Sequence, residues 1–231
     1  MRFTVVGSAL LAVALVAGPV FANDLADFDA AVEAASSHNR VAIGYLRNGN
    51  TDLASVELDR LRAAWAQVGR LPRPTVFEDV PLYTAMMTDI ATRLITADMM
   101  LNSDRAENAQ QALTAIRDDL YTLRKSAHVP VLADCIRDAN EAMDKLTAFD
   151  ARVGEAGLAE AASRYDGILK QCDQMADRKT RSEPEFRRLI DGAYASLARI
   201  PEAIATKDDD LLHRVLVELR SFDNLLAFRF G

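Results

Sequence analysis

The sequence lacks most of the residues that announce catalysis. It holds three histidines, His38, His128 and His213, and none stands at His-x-x-x-His or Glu-x-x-His spacing. This excludes the usual helical metal sites. A Gly-x-Ser-x-Gly elbow, a phosphate-binding loop and a dinucleotide fingerprint are all missing. Glycine (10) and proline (7) are few and clustered, aromatic residues make up 6%, and no stretch alternates as a strand would. Basic residues are outnumbered, 27 Lys and Arg against 34 Asp and Glu, for a net charge of −7. Such a surface repels phosphate backbones and anionic lipid, so no nucleic acid partner is expected. The basic group Arg178, Lys179, Arg181, Arg187 and Arg188 reads as a solvated loop and helix start.

One long apolar run is present, at the beginning. In "MRFTVVGSALLAVALVAGPVFAND", Arg2 supplies the positive charge, Thr4 to Val16 the apolar stretch and Val20-Phe21-Ala22 a cleavage site. Residues 1–22 read as a cleaved secretory signal, too short in their apolar part to span a bilayer. There is no twin arginine and no lipidation cysteine. The expectation is a periplasmic protein with no membrane span in the mature chain.

Helical periodicity dominates the remainder. Cys135, Ala139, Ala142, Leu146, Phe149 and Val153 step by four and three, as do Phe186, Ile190, Ala193, Leu197, Ile200 and Ile204. Comparable stripes run from Tyr83 to Leu101, Ala109 to Leu123, Leu158 to Cys172, Leu58 to Val68 and Leu212 to Leu226. The last of these passes through Phe222. The first helix is less regular, with Leu25, Phe28, Val32, Ala35, Ala42 and Leu46 inward. Narrow stripes of this kind suit nearly antiparallel bundles.

Turn segments near residues 49, 103, 155 and 207 join these helices in hairpins, with Asn50, Ser103 and Thr206 as candidate caps and Asp104 with Glu107 as a second option. Asp208-Asp209-Asp210 reads as a helix start, not a calcium loop. Longer links carry Pro72, Pro74 and Pro81 in one half and Pro184 in the other, and Pro201 bends the seventh helix. The resulting fold class is all-α: eight helices as two tandem four-helix-bundle-like units built from antiparallel helical hairpins. The units span 23–128 and 129–231, an internal duplication.

Cys135 and Cys172 are the only cysteines. They lie on inner stripes, at matching distances from the turn at Gly154–Gly157, so the two thiols face each other and form a disulfide in an oxidising compartment. Met86-Met87 and Met99-Met100 read as core filling, since the pairs sit about 20 Å apart along one helix. Asp89 and Glu57 are the carboxylates to inspect for an unrecognised hydrolase site. Phe228 and Phe230 offer either an apolar patch or a buried end.

The segment "SEPEFRRLIDGAYASLARIPEAIATKDDDLLHRVLVELRSFDNLLAFRF" resembles the last two helices of the soluble periplasmic cytochrome b and cytochrome c-prime group, and the layout of each half resembles that four-helix bundle. The resemblance implies a haem ligand near the end of the fourth helix. Ala227 occupies that place in the second half, and His128 falls near it in "LYTLRKSAH" of the first. The Cys-x-x-Cys-His motif is missing, and "DLADFDAAVEA" has no methionine for a second ligand. The leading expectation is therefore a non-enzymatic interaction or small-ligand-binding protein with no cofactor and no metal, its partner a protein or small molecule. The alternative is a noncovalent haem or electron-transfer protein using His128.

Overall fold

A computed structural model describes residues 21–149 and 156–231. The signal segment falls outside them, except at its last two positions. All regular structure among the described residues is helical: α1 (Phe21–Arg47), α2 (Thr51–Val68), α3 (Val80–Leu101), α4 (Ala106–Ser126), α5 (Leu132–Thr147), α6 (Leu158–Met175), α7 (Arg178–Ser182), α8 (Pro184–Leu197), α9 (Ile200–Thr206) and α10 (Asp209–Phe230). No described helix is long and apolar enough to cross a membrane.

The helices close into two rings. In the first unit α1 packs on α2, α2 on α3, α3 on α4 and α4 back on α1. In the second, α5 packs on α6 and on α10, α6 meets α8 and α9, and both of these meet α10. Each ring has its own apolar interior. One runs from Phe28 to Leu123, and the other from Cys135 to Leu226. The inner stripes follow the heptad-like steps of the sequence, because three or four residues advance a helix by one turn and return to the same face.

The ten segments exceed the eight expected, for two local reasons. Pro201 removes a backbone donor and crowds the preceding turn, so α8 ends at Leu197 and α9 starts at Ile200, with Ala198 and Arg199 between them still in right-handed helical conformation, at the place where the sequence expects a bend. In the link after α6, Asp177 accepts from the amides of Lys179 and Thr180 and starts the five-residue α7.

Asn50 caps α2 through Leu53 N, as its sequence position suggests. The other two expected caps do not form. Ser103 and Thr206 turn their hydroxyls back to Met99 O and Glu202 O. Arg105 begins α4 without a side-chain cap, after Asp104 in a left-handed conformation, so the Asp104–Glu107 cap is also absent. Asp208 caps α10 through Leu211 N, one of the roles open to the acidic run.

Cys135 and Cys172 stand at disulfide distance, with Cα atoms 5.4 Å apart, clasping α5 to α6 near the ends away from their connecting turn. The small neighbours Ala139 and Ala142, both buried, allow this approach. With a sequence separation of 37, loop closure predicts a loss of about 3–4 kcal/mol when the bridge is removed. The expected outcome for Cys135→Ala/Cys172→Ala is a lowered urea midpoint at unchanged helical ellipticity. An unchanged midpoint would show that the bond contributes no stability.

Candidate functional site

The two units meet along α1, α4, α5 and α10, through ion pairs and apolar side chains alike. Arg124, in the last turn of α4, donates from Nε and Nη2 to both oxygens of Asp134 in the first turn of α5, at 2.8 and 2.6 Å. Both side chains are nearly fully buried, 5% and 6% exposed. Asp134 also accepts from Val131 N, so one carboxylate starts α5 and holds α4. Beside this pair, Arg137 of α5 donates to Asp118 of α4 at 2.8 Å and lies over the Tyr121 ring. On the far side, Arg40 of α1 donates to the Gly231 carbonyl oxygen at 2.7 Å, and Gly44 leaves room for the Phe228 ring, only 3.1 Å from where a Cβ would stand.

Between these contacts lies a cleft. Its inner part is a cavity of about 140 Å³ whose wall includes Arg40, Arg47, Arg117, Arg124, Asn39 and Asn140. Arg117 is the unusual member. Its Nε and Nη2 are buried without a hydrogen-bond partner. Burial pushes its guanidinium below the usual arginine range, and the charge of Arg137 acts in the same direction. Asn39, 6% exposed, donates to Leu113 O at 3.0 Å and leaves its own Oδ1 unpaired. Of the four arginines, Arg124 is paired with Asp134 and Arg40 with Glu33, which leaves the charges of Arg47 and Arg117 without an ion pair among the described residues to favour an anion.

Asn140 links the cleft to the interior of the second unit. It donates to Asp223 Oδ2 at 2.5 Å. Asp223, 1% exposed, also receives the Tyr165 hydroxyl at 3.4 Å and lies 3.5 Å from the Arg220 guanidinium. Arg220 in turn donates to Thr147 and pairs with Asp144. Burial outweighs these donors and pushes the Asp223 carboxyl up to about 6. Burial, with Asp223 nearby, raises the Tyr165 hydroxyl as well.

The residues singled out in the sequence lie in several places. His128 is exposed and follows α4 with φ +57°, where its amide bonds Lys125 O and the next amide bonds Arg124 O. This is a helix-terminating role. Its neighbours form an open groove along α5 and α6 with Lys125, Asp138, Glu141, Lys145 and Arg164 in its wall. The first unit's interior is filled by apolar side chains. The groove wall also carries Tyr121, Pro130, Ala142, Ile168 and Met175.

Cys135 lies in the same groove wall, and its partner Cys172 is fully buried. Glu57 is buried and accepts from Arg60 at 2.6 Å, while His38 Nδ1 lies 2.8 Å from its other oxygen. It ties α1 to α2, and Asp89 is exposed. Met86, Met87 and Met100 pack on the first core, and Met99 is exposed. No cluster of three His, Cys, Asp or Glu suited to a metal occurs among the described residues. Phe230 packs edge-on to Phe186 in the second core, and Phe228 stays partly exposed beside α1.

Arg117, Asn39 and Asp223 were not singled out by periodicity. Arg117 and Arg124 stand seven residues apart on the flank of the α4 stripe, a spacing that places them on one face. Asn39 fills the gap between Ala35 and Ala42, so its position completes the α1 stripe. Asp223 lies one residue from Phe222, and the polar residue, not the ring, is the one fully buried. Comparison of the chain with protein-family models, curated proteins and solved structures gives no match.

Asp223 generates a pH prediction. A carboxyl raised from 3.8 to about 6 on folding is held best when protonated. Its favourable contribution is complete below about pH 4 and is lost as pH rises through 6, a span of about 3 kcal/mol by linkage. Asp223→Asn keeps the partners of Asn140 and Tyr165 and removes the titration. Urea unfolding from pH 4 to 8 is expected to show the variant gaining on the wild type as pH rises, most steeply near pH 6. A constant difference would show that the buried carboxyl does not titrate in that range.

Proposed function

We propose that the protein is a non-enzymatic binding protein that holds a small anionic ligand in the cleft between its two four-helix units. The observation that carries this reading is Arg117, which stands in the cavity wall with its Nε and Nη2 buried and without a hydrogen-bond partner. An unpaired buried guanidinium is costly, and a ligand oxyanion offsets that cost with charge-assisted hydrogen bonds. Arg47 adds to the field, and Asn39 and Asn140 offer amide groups at the wall. A cavity of this size suits a carboxylate, sulfate or phosphate group. The exported location belongs to the same proposal. It is supported by the signal-like first 22 residues and by the cysteine pair at disulfide distance.

Calorimetric titration of the purified protein with acetate, succinate, sulfate and inorganic phosphate tests the reading. At least one of these is expected to bind, and Arg117→Gln to weaken it at least tenfold, in keeping with the roughly 1.5–3 kcal/mol of a charged hydrogen bond. The melting temperature of the ligand-free variant is expected to hold or rise, because a desolvated charge has been removed. Anion affinity that survives in Arg117→Gln would refute the site.

The rival haem reading has His128 as its ligand and makes a different prediction. Addition of haemin is expected to give no Soret band that His128→Ala abolishes, since the groove beside His128 is open and charged. A His128-dependent band would overturn the choice between the two.

A further inference from the structure

The cleft continues beyond the arginine cavity. A second cavity of about 440 Å³ meets the first at Ser36, Arg124 and Ala133, and Asp29 of α1 stands in its wall. Asp29 Oδ1 is buried with no hydrogen-bond partner. The nearest cation, Arg124, already spends its Nε and Nη2 on the two oxygens of Asp134. Desolvation holds the Asp29 carboxyl above the usual range, with Asp134 adding to it and Arg124 opposing. A carboxylate and a guanidinium thus lie unsatisfied in adjoining parts of one cleft, and they are not paired with each other.

Arg124, whose charge acts on Asp29, marks the Asp29 end of the cleft, and α4 sets its distance from Arg117. Arg124 borders both cavities and Arg117 only the first, and the two are seven residues apart, about 10 Å along the helix axis. A single α-amino acid is too short to cover that distance. An extended chain advances about 3.3–3.6 Å per residue, so three residues cover it. Asn39, with its Oδ1 unpaired, stands in the wall of the arginine cavity. Val32 and Met175 give the acidic cavity apolar surface for a side chain.

We infer that the ligand is an elongated zwitterion of tripeptide length, with its carboxylate at Arg117 and its ammonium at Asp29. The inference rests on the proposed anion anchor at Arg117 and adds the second pole and the length.

Calorimetric titration at pH 7.5 with trialanine, N-acetyl-trialanine, trialanine amide, alanine and acetate tests it. Trialanine is expected to bind at least tenfold tighter than any of the other four. Asp29→Asn is expected to bring trialanine down to the affinity of its acetylated form, and Arg117→Gln to that of its amide. Thermal melts of both variants report folding, and the comparison among ligands on the unaltered protein needs no variant. If N-acetyl-trialanine or acetate binds as tightly as trialanine, the ammonium pole is wrong and the anion site stands. If no carboxylate binds and Arg117→Gln changes nothing, the inference and the proposed function fail together.

Discussion

The buried pair of Arg124 and Asp134 is the constraint on which the arrangement of the two units depends. Both side chains are about 5% exposed, and each is the other's principal partner. A charge removed from water this completely is stable only while its counter-charge stays in place. Loss of one partner in such a pair typically costs about 3–5 kcal/mol. The pair spans the corner between α4 and α5, so it fixes the direction in which the second unit leaves the first. Asp134 also caps the first turn of α5 through Val131 N. The chain reverses between them through His128 at positive φ. A hydrophobic contact at this corner would be non-directional. A two-pronged guanidinium–carboxylate contact sets an angle as well as a distance.

That angle leaves space. The units touch where α1 meets α10 and where Arg124 and Arg137 bridge α4 and α5, and the cleft between the contacts carries polar groups beside Ile43, Ile116 and Leu120 of the first apolar cluster. Each interior is filled by its own apolar cluster, so a polar ligand has no place within either ring. The junction differs. Its helices present Arg40, Arg117 and Arg124 on faces that a lone four-helix unit would turn to water. Bringing the second unit against these faces desolvates them without pairing them all. The proposed ligand site is a consequence of joining two bundles, not a feature of either one.

The sequence made the interior legible and the junction obscure, for a physical reason. Core positions repeat every three or four residues because burial in a bundle is periodic. The stripes from Ala109 to Leu123 and from Leu158 to Cys172 are buried along their whole length. The cysteines were legible because an antiparallel hairpin brings residues at matching distances from its turn to one height. Burial at a junction has no such period. Arg117 looks in sequence like any charged residue beside a stripe, and only the arrival of α5 and α10 encloses it. Asp223 was obscured by a neighbour. Phe222 suits the α10 stripe by hydrophobicity, yet Asn140, Tyr165 and Arg220 supply the donors that let the carboxylate take the inner place. Ser103 and Thr206 failed as caps because a hydroxyl can bond back to the preceding turn, and a residue in the next turn then starts the helix.

The two units share a layout and differ in what their interiors contain. The first keeps its polar groups at the edges. Glu57 bonds to His38 and Arg60 between α1 and α2, and Asp119 bonds to Arg93 between α3 and α4. The second carries a carboxylate through its middle, from Asn140 at the cleft wall to Asp223 and on to Tyr165. A polar group in a dry interior persists only if its partners are rigidly placed. Here the helices holding them are the clasped pair, since Asn140 is on α5 and Tyr165 on α6, and the Cys135–Cys172 contact joins these two helices. The rigid hairpin thus supports the buried network, and the network fixes the Asn140 amide at the cleft wall. In this way a cross-link beside the α4–α5 corner is connected, through packed and hydrogen-bonded groups alone, to the geometry of the cleft.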